Sequence, residues 1–458
     1  MTLRHALAGL LVLGAAPTLA AGRVPYGGEL RLAHTGPAPQ GDPTLADTPV
    51  EATLLGLQSR PLCRLEANGT AHPTVARELS RPMAQTVRIA LPSLGLANTL
   101  ARTWTRFTGT DAPSPYRALL FPVNGEARQL SPRGTALELP LSFPWPDLER
   151  SLCHPALALP VTTGAPSLGP FASTTPGVFD ARLGYPEGRP YLDRLLVTRT
   201  DERGLTRMWT ARQVHVALGA LPEAGSPQGA ALHATYLAFS PRRVPADFRQ
   251  AFESAVDRDD LIRLFVRPPA VPMPHLLPPA LLAQAPRPRP GSPASGGTRT
   301  VTLLYDAGIE DQRAVAERIQ VKLHERGYKV ALEPLPRATL RSRWAKGDFD
   351  LMLHALLLPP LPGPALAVVL DAAGRKDLLG VELPLIGAIE DASARDTRAR
   401  ERALALAPSV PLLPLYAQGL GLRVAPELEG LELDAQGLPL LEGAYLPPAP
   451  PAAPGSRK

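Results

Sequence analysis

The sequence predicts an α/β protein built around a parallel sheet, because strand and helix patterns alternate along one continuous stretch. An apolar run at 301–305 is short enough for a buried strand, and a helical pattern follows at 309–326. A second strand is predicted at 329–335, a short helix at 338–346 and a third strand at 350–354. Strands joined in this way form a parallel sheet with right-handed crossovers, which places ligand clefts at the carboxyl ends of the strands.

The helix predicted at 309–326 is amphipathic. Val315, Ile319 and Leu323 form one apolar stripe, whereas charged side chains occupy the opposite face. Gly327 and Gly347 follow the two predicted helices, at the position where a residue with positive φ commonly ends a helix. The stretch therefore predicts a lobe with its own core, and by itself no function.

Length and composition indicate a soluble protein of two or three domains. A chain of 458 residues is too long for one hydrophobic core. Hydrophobic residues make up 45% and charged residues 20%, which excludes wholesale disorder, while 55 prolines predict short elements and irregular connections. The net charge of +6 is scattered among acidic residues, and this pattern argues against a nucleic-acid partner.

The first twenty residues predict a secretory signal peptide. Arg4 and His5 precede an apolar core at 6–16, and Thr18 and Ala20 are small residues suited to a cleavage site. No cysteine follows that core, so a lipid anchor is not expected. The mature chain is predicted to be soluble and periplasmic.

The two cysteines, Cys63 and Cys153, leave two alternatives open. In an oxidising compartment they could form a disulfide, or they could be two separate buried thiols. With so few thiols and no histidines at ligand spacing, no structural metal site is expected.

The rest of the chain predicts short elements before the central stretch. Strands are predicted at 27–33, 60–65 and 86–91, helices at 49–58 and 98–107, a short helical piece at 72–79, and Trp104 in a core.

Several motifs occur in the order found in one family. They include Gly-Gly-Glu-Leu-Arg-Leu-Ala at 27–33, Gly-Pro-Phe at 169–171, Gly-Arg-Pro-Tyr-Leu-Asp at 188–193 and Arg-Gln-Ala-Phe-Glu-Ser-Ala-Val-Asp-Arg at 249–258. Gly-Asp-Phe-Asp at 347–350 and Pro-Leu-Leu-Pro-Leu-Tyr at 411–416 continue the series. Over about 420 residues the chain resembles the family 5 extracellular solute-binding proteins, the dipeptide-, oligopeptide- and nickel-binding receptors of ABC importers.

The resemblance implies a two-lobed fold of the periplasmic-binding-protein type, with an extra inserted domain and mixed sheets joined by hinge strands. Transferred to this chain, it implies the signal peptide at 1–20, lobe I at 21–46, 164–240 and 421–446, the inserted domain at 47–163, lobe II at 241–420, and a disordered tail at 447–458. The Pro- and Gly-rich run at 286–297 resembles a linker before lobe II.

The resemblance also implies one departure from the peptide-binding members. Their third strand of lobe II leads into a Trp-Cys-x-Asp segment, whose carboxylate holds the ammonium group of the peptide. Here Leu356 takes the Trp position and Pro359 the Asp position. A buried ammonium without a counter-charge is unfavourable, so this alignment argues against ordinary peptide binding. The Leu- and Pro-rich segment is then either an apolar ligand wall or an inert rigid loop.

Candidate ligand contacts follow from the same strand-end rule. His354 ends the third strand, although a histidine satisfied by backbone is the alternative. The other candidates are His34 and Thr35 after the first strand, Phe171 in the Gly-Pro-Phe motif, Leu356 in the apolar segment, and Tyr416 and Gln418 on the hinge side.

The sequence lacks the common signatures of catalytic sites, so neither an enzyme nor a cofactor is expected. The predicted function is the periplasmic substrate-binding component of an ABC importer, a monomer that captures a small or peptide-like ligand by hinge closure and presents it to an inner-membrane permease. One alternative is a degenerate receptor that serves as a structural or sensory interaction domain. A hydrolase would instead need a Ser or Asp constellation in the cleft.

Overall fold

The computed structural model describes residues 24–37, 39, 41–109, 113–123, 130–161, 167–282 and 300–447. The predicted signal peptide, the linker-like run at 286–297 and residues 448–458 of the predicted tail lie outside these ranges. No helix in the described part is long and apolar enough to cross a membrane.

The strands are β1 (Glu29–His34), β2 (Cys63–Leu65), β3 (Ala71–Pro73), β4 (Glu78–Met83), β5 (Thr86–Ala90), β6 (Ala136–Pro140), β7 (Phe171–Thr175), β8 (Val178–Ala181), β9 (Arg194–Arg199), β10 (Val216–Leu218), β11 (His233–Phe239), β12 (Ala270–Pro272), β13 (Thr300–Asp306), β14 (Lys329–Leu335), β15 (Leu351–Leu357), β16 (Leu412–Gln418), β17 (Leu422–Val424), β18 (Glu432–Leu433) and β19 (Pro439–Leu440).

The helices are α1 (Pro49–Gly56), α2 (Leu94–Phe107), α3 (Leu148–Ser151), α4 (Glu202–Thr210), α5 (Ala246–Ala255), α6 (Arg258–Phe265), α7 (Pro279–Leu282), α8 (Glu310–His324), α9 (Arg337–Lys346), α10 (Pro362–Ala372), α11 (Lys376–Gly387) and α12 (Ala392–Leu406).

Two six-stranded sheets form the two lobes. The sheet of lobe I has the order β17-β10-β1-β9-β8-β7, with β1 parallel to both β9 and β10 and with β17 antiparallel to β10. The sheet of lobe II has the order β12-β16-β11-β15-β13-β14. Both sheets are mixed, as the family resemblance implied, whereas the strand–helix pattern alone predicted a parallel sheet.

The strand–helix alternation at 301–354 is confirmed. β13 is parallel to β14 and to β15, and α8 and α9 provide the crossovers. Gly327 has a φ of +87° and Gly347 a φ of +66°, so both glycines adopt the left-handed conformation that ends the preceding helix. Val315, Ile319 and Leu323 are fully buried against this sheet.

The chain between the two parts of the lobe I sheet contributes a third unit, the inserted domain. Its strands form a hairpin, β2–β3, and a three-stranded antiparallel sheet, β4-β5-β6. The Cys63 and Cys153 thiols are joined in a disulfide within this unit. Trp104 on α2 is buried in the core, where the sequence placed it.

Two local predictions differ from the structure. The helical piece at 72–79 is wrong, because β3 and β4 occupy that region and β4 pairs with β5. The helix predicted at 98–107 begins at Leu94, because the Ser93 hydroxyl accepts the backbone N–H of Leu96 and caps the first turn.

The core contacts shift two boundaries of the predicted domains. α1 packs with Val50, Leu54 and Leu57 into the core of lobe I, although the sequence placed 47–163 in the inserted domain. β11 lies wholly within the lobe II sheet, although it falls within the range 164–240 that was assigned to lobe I. Both differences have the same origin. A resemblance locates motifs along the chain, whereas the tertiary contacts of a helix or strand decide to which lobe it belongs.

The inserted domain and lobe II share one hydrophobic core. Trp145 and Tyr116 of the inserted domain belong to the same buried cluster as Leu356, Leu358 and the helix α10. The core of lobe I is a separate cluster around Leu30, Leu32 and Phe171. The three units are therefore not equally independent, because two of them are packed as one body.

Candidate functional site

A cavity of about 120 Å³ lies where lobe I and lobe II meet, beside the two connections between their sheets, 219–232 and 419–421, here called the hinge. Thr35 follows β1 and Gly219 follows β10, so lobe I contributes the carboxyl ends of two parallel strands. Lobe II contributes the first turn of α8, and Gln418 at the end of β16 closes the hinge side. The position agrees with the rule that ligand clefts of parallel sheets form at carboxyl strand ends.

The polar wall on the lobe II side is centred on Asp311. One carboxylate oxygen, Oδ2, accepts hydrogen bonds from the backbone N–H of Arg267 and from Nε2 of Gln418, both at 3.1 Å. The Arg267 side chain lies 3.5 Å from the other oxygen and also pairs with Glu310. Burial raises the pKa of Asp311, and the hydrogen bond from Arg267 opposes that shift.

His233, the first residue of β11, adds a buried imidazole to the cavity wall. Within the described ranges its Nε2 atom has no hydrogen-bond partner. Burial and, to a smaller extent, the charge of Arg337 lower the pKa of His233 to about 4. The ring is neutral at neutral pH, and its Nε2 is a free polar atom beside the cavity.

The structure brings two of the predicted site residues together at this cavity, Thr35 and Gln418. The Thr35 hydroxyl donates a hydrogen bond of 3.3 Å to the carbonyl of Gly219, which ties the ends of β1 and β10. The Gln418 amide holds Asp311, as described above. Both side chains therefore shape the cavity as well as line it.

The other predicted residues lie away from the cavity wall. His34 is buried, with Nδ1 3.4 Å from the carbonyl of Thr35, and burial lowers the pKa of its imidazole. Phe171 is fully buried in the core of lobe I. Tyr416 is buried in the core of lobe II.

His354 and Leu356 are also buried within the protein. His354 lies in the middle of β15, and Arg341 donates a 2.5 Å hydrogen bond to its Nε2, so its partner is a side chain and not backbone. Burial and the charge of Arg341 lower the pKa of His354. Leu356 has no exposed surface and belongs to the shared core.

The Leu- and Pro-rich segment after β15 packs against the inserted domain. The His154 Nε2 donates a hydrogen bond of 2.9 Å to the carbonyl of Leu357, and the Tyr116 hydroxyl accepts the N–H of Leu357. A Cβ on Gly363 would lie 3.4 Å from the Trp145 ring, so α10 begins in contact with the inserted domain. The segment is a wall of the shared core, and it does not line the cavity.

A cluster of buried charges beside the cavity was missed by sequence reasoning. Arg337 and Arg341 project from α9 toward Asp47 and Glu51, which lie at the start of α1. Asp306, at the end of β13, also pairs with Arg337 at 2.6 Å. The signal in the sequence was the spacing of the two arginines, four residues apart on one helix face. The pairing of Glu51 with Arg337 could not be recognised from the sequence, because a glutamate three residues after Thr48 is already explained by the capping box of α1.

A larger groove of about 860 Å³ lies between α2 and the strand β7. Ser93, Leu96 and Arg182 are among its lining residues, and none of the predicted site residues lines it. It lies away from the meeting point of the two lobes, so the hinge-side cavity is the better candidate for a site controlled by lobe movement.

The cavity has the chemistry of a binding site. It offers a carboxylate, a guanidinium, an amide, a hydroxyl and a neutral imidazole. In the described part of the chain, no group of three or more His, Cys, Asp or Glu residues is arranged to hold a metal ion.

No protein-family model matches the sequence, and no curated protein matches it. Solved structures do. The murein tripeptide binding protein MppA of Escherichia coli matches with a TM-score of 0.73 and 16% identity, over 91% of this chain and 98% of that one. The ABC transporter-associated periplasmic binding protein DppA of Helicobacter pylori, in complex with the peptide STSA, matches with a TM-score of 0.71 and 14% identity, over 92% and 98%.

The unliganded open form of MppA matches less well, with a TM-score of 0.57 at 16% identity, over 92% of this chain and 98% of that one. The matches span more than nine tenths of this chain and nearly the whole of the others. The protein therefore has the two-lobed fold of the periplasmic solute-binding proteins, as its sequence motifs predicted.

Proposed function

We propose that this protein is the periplasmic solute-binding component of an ABC importer, which captures a small ligand between its lobes and presents it to an inner-membrane permease. The observation that carries the proposal is the cavity at the hinge, lined by strand ends from lobe I and by the first turn of α8 from lobe II. A ligand that contacts both lobes stabilises the closed form, and a clamp of this kind needs no catalytic residues. The sequence prediction of a signal peptide supports export.

The dimensions and chemistry of the cavity favour a small polar solute. The cavity has a volume of about 120 Å³. Pockets for drug-sized ligands are several times larger, at roughly 300–1,000 Å³. Pro359 also stands at the position where the peptide-binding members carry the carboxylate that holds the peptide ammonium group.

The test is a thermal-shift screen of amino acids, short peptides, sugars and metal complexes, followed by calorimetry on any hit. A true ligand at about 100 times its Kd stabilises the folded state by about 2.7 kcal/mol and raises Tm by several degrees. Asp311→Asn is expected to reduce that shift, whereas Asp377→Asn, at an exposed carboxylate outside the cavity, is expected to preserve it. If no compound in the screen stabilises the protein, solute capture is contradicted.

A degenerate receptor that serves as an interaction domain is the second candidate. The buried charges of α9 favour it, because the chain's own side chains bridge the lobes. Native mass spectrometry of protein purified from its host separates the two candidates. A bound solute supports capture, and a protein partner without solute supports the interaction domain.

A further inference from the structure

Five buried charged side chains meet where α9 of lobe II faces α1 of lobe I. Asp47, Glu51, Asp306, Arg337 and Arg341 are each no more than 6% exposed. Charged side chains are rarely buried unless they are paired. The burial of these five side chains therefore depends on the pairs that they form with one another.

Guanidinium groups of α9 donate hydrogen bonds across the junction to lobe I. Arg341 donates to Asp47 at 2.5 Å, and Arg337 donates to Glu51 at 2.5 Å and to the Leu45 carbonyl at 2.7 Å. The Tyr116 hydroxyl of the inserted domain donates to Asp47 at 3.0 Å. One carboxylate therefore joins all three units of the protein.

Two residues of lobe II, Asp306 and His354, orient the guanidinium groups of Arg337 and Arg341. Asp306 accepts from Nε of Arg337 at 2.6 Å, and His354 accepts from Arg341 at 2.5 Å. Neither of these two hydrogen bonds crosses the junction, because Asp306 and His354 both lie in the lobe II sheet. They fix the direction of the two arginines, which then need no solute to reach lobe I.

Ion pairs alone would not make a strong closure. Removing two charges from water costs several kcal/mol per ion, and pairing repays that cost only with good geometry and full hydrogen bonding. Here the ion pairs are supplemented by neutral hydrogen bonds, because Asp47 also accepts from the Tyr116 hydroxyl and Arg337 also donates to the Leu45 carbonyl. Together these contacts set the register in which α9 of lobe II meets lobe I.

The comparison with MppA agrees with this arrangement. This chain matches the MppA structure at a TM-score of 0.73 and the unliganded open form of MppA at 0.57. The whole chain thus superposes better on the first of these structures than on the open form.

We propose that Asp47, Glu51, Arg337 and Arg341 form a latch that holds the two lobes closed whether or not the cavity holds a solute. This inference rests on the proposed function, since it describes how access to that same cavity is controlled. Solute exchange then requires the α9–α1 ion pairs to break first, and the closed clamp is the resting state of the protein.

A cross-link across the cavity tests the latch without any solute. A Cβ placed on Gly308 of lobe II would lie 3.6 Å from Cβ of Pro37 in lobe I, within the usual range for a disulfide. The Pro37→Cys/Gly308→Cys protein is expected to form this cross-link rapidly and nearly completely in mild oxidant, as read by peptide mapping. Adding Arg337→Met and Arg341→Met is expected to slow the reaction at least tenfold.

Arg343→Met is the matched control, because Arg343 lies on the same helix and pairs with Glu333 of its own lobe. It is expected to leave the cross-linking rate unchanged. Asp47→Asn is a milder latch variant, to be used if the double arginine variant fails to fold by circular dichroism, and it too is expected to slow the reaction.

Equal rates with and without the latch residues would overturn the proposal. So would slow cross-linking in the protein that retains all four latch residues. Solute binding with an equally fast cross-link in the latch variants would reject the latch and keep the proposed function. A latch-dependent cross-link in a protein that binds no solute would support the latch and reject the function.

Discussion

At the scale of single residues, His154 shows how a buried histidine holds one interface together. Its Nε2 donates to the Leu357 carbonyl at 2.9 Å, and its Nδ1 accepts the N–H of Ala156 at 3.2 Å. Only the neutral tautomer can make both hydrogen bonds. Burial lowers the pKa of His154 to about 4, and the pKa of His233 is lowered to about 4 as well.

These two histidines predict a loss of stability in mild acid. The unfolded chain binds their protons below its ordinary pKa of about 6.5, whereas the folded protein binds them only near pH 4. Stability is therefore complete above pH 6.5 and falls as the pH drops from 6.5 to 4. At pH 5 the expected loss is roughly 2 kcal/mol for each histidine, from the same linkage. Urea unfolding at pH 7 and pH 5 measures it.

The control for this pH effect is a pair of single substitutions. His154→Gln is expected to lower stability at pH 7 and to reduce the difference between pH 7 and pH 5. His72→Gln, at an exposed histidine, is expected to keep the full difference. An unchanged pH dependence in His154→Gln would contradict the assignment.

The candidate site was only partly predictable from the sequence. The strand-end rule found Thr35 and Gln418, because it depends on local strand positions that the sequence shows. The rule also predicted His354 and Leu356 at the cavity, where the structure does not place them. The end of β15 is covered by Tyr116 and His154 of the inserted domain, and a contact with so distant a segment cannot be recognised from local strand positions.

At the scale of elements, the disulfide fixes the hairpin β2–β3 to the turn after α3. Cys63 lies in β2 and Cys153 two residues beyond α3, so the bond closes a loop of 90 residues. Both sulfur atoms are buried in the core that the inserted domain shares with lobe II. The bond therefore supports the unit against which lobe II packs.

Removing this bond is expected to destabilise the whole protein. For a loop of 90 residues the chain-entropy model gives a contribution of about 4 to 5 kcal/mol. Cys63→Ala/Cys153→Ala is expected to lower the free energy of unfolding by an amount of this order, measured by denaturant titration. Dithiothreitol should lower the Tm of the unmodified protein and leave that of the double variant unchanged; a shift in both would contradict the prediction.

The elements that the sequence predicted correctly are those with local signals. α8 has an apolar stripe and a terminal glycine, and both are readable without the rest of the fold. The stretch at 72–79 lacks such a signal, because β4 is stabilised by pairing with β5. The Cys63–Cys153 pairing could not be read either, since spacing alone does not show proximity.

At the scale of the whole molecule, the inserted domain and lobe II behave as one packed body. Arg395 of α12 makes two hydrogen bonds to the fully buried Asp147, at 2.8 and 3.0 Å. Arg117 pairs with Asp371 at 2.9 Å on the other side of α10. A Cβ on Gly387 of α11 would lie 2.2 Å from the carbonyl of Pro144, so the backbones are in direct contact.

A single methyl group tests this contact. Gly387→Ala is expected to lower stability by about 1 to 3 kcal/mol, because a buried contact becomes overpacked. Gly380→Ala on the same helix is the matched control, since no heavy atom lies within 4 Å of its Cβ position. That change is expected to be neutral or to add up to about 1 kcal/mol through helix propensity. Equal effects at both sites, measured by thermal unfolding, would contradict the direct packing of α11 against the inserted domain.

The late position of β17 in the sequence affects the order in which the sheet of lobe I forms. It pairs with β10 through Val216–Val424 and Leu218–Leu422, so about two hundred residues separate the two strands along the chain. Contacts of such sequence separation form late, because the loop between them must close first. Until β17 has been synthesised and has paired, the sheet of lobe I is incomplete and β10 has one unpaired edge. A chain truncated before Leu422 would carry that open edge permanently, as a nucleus for aggregation.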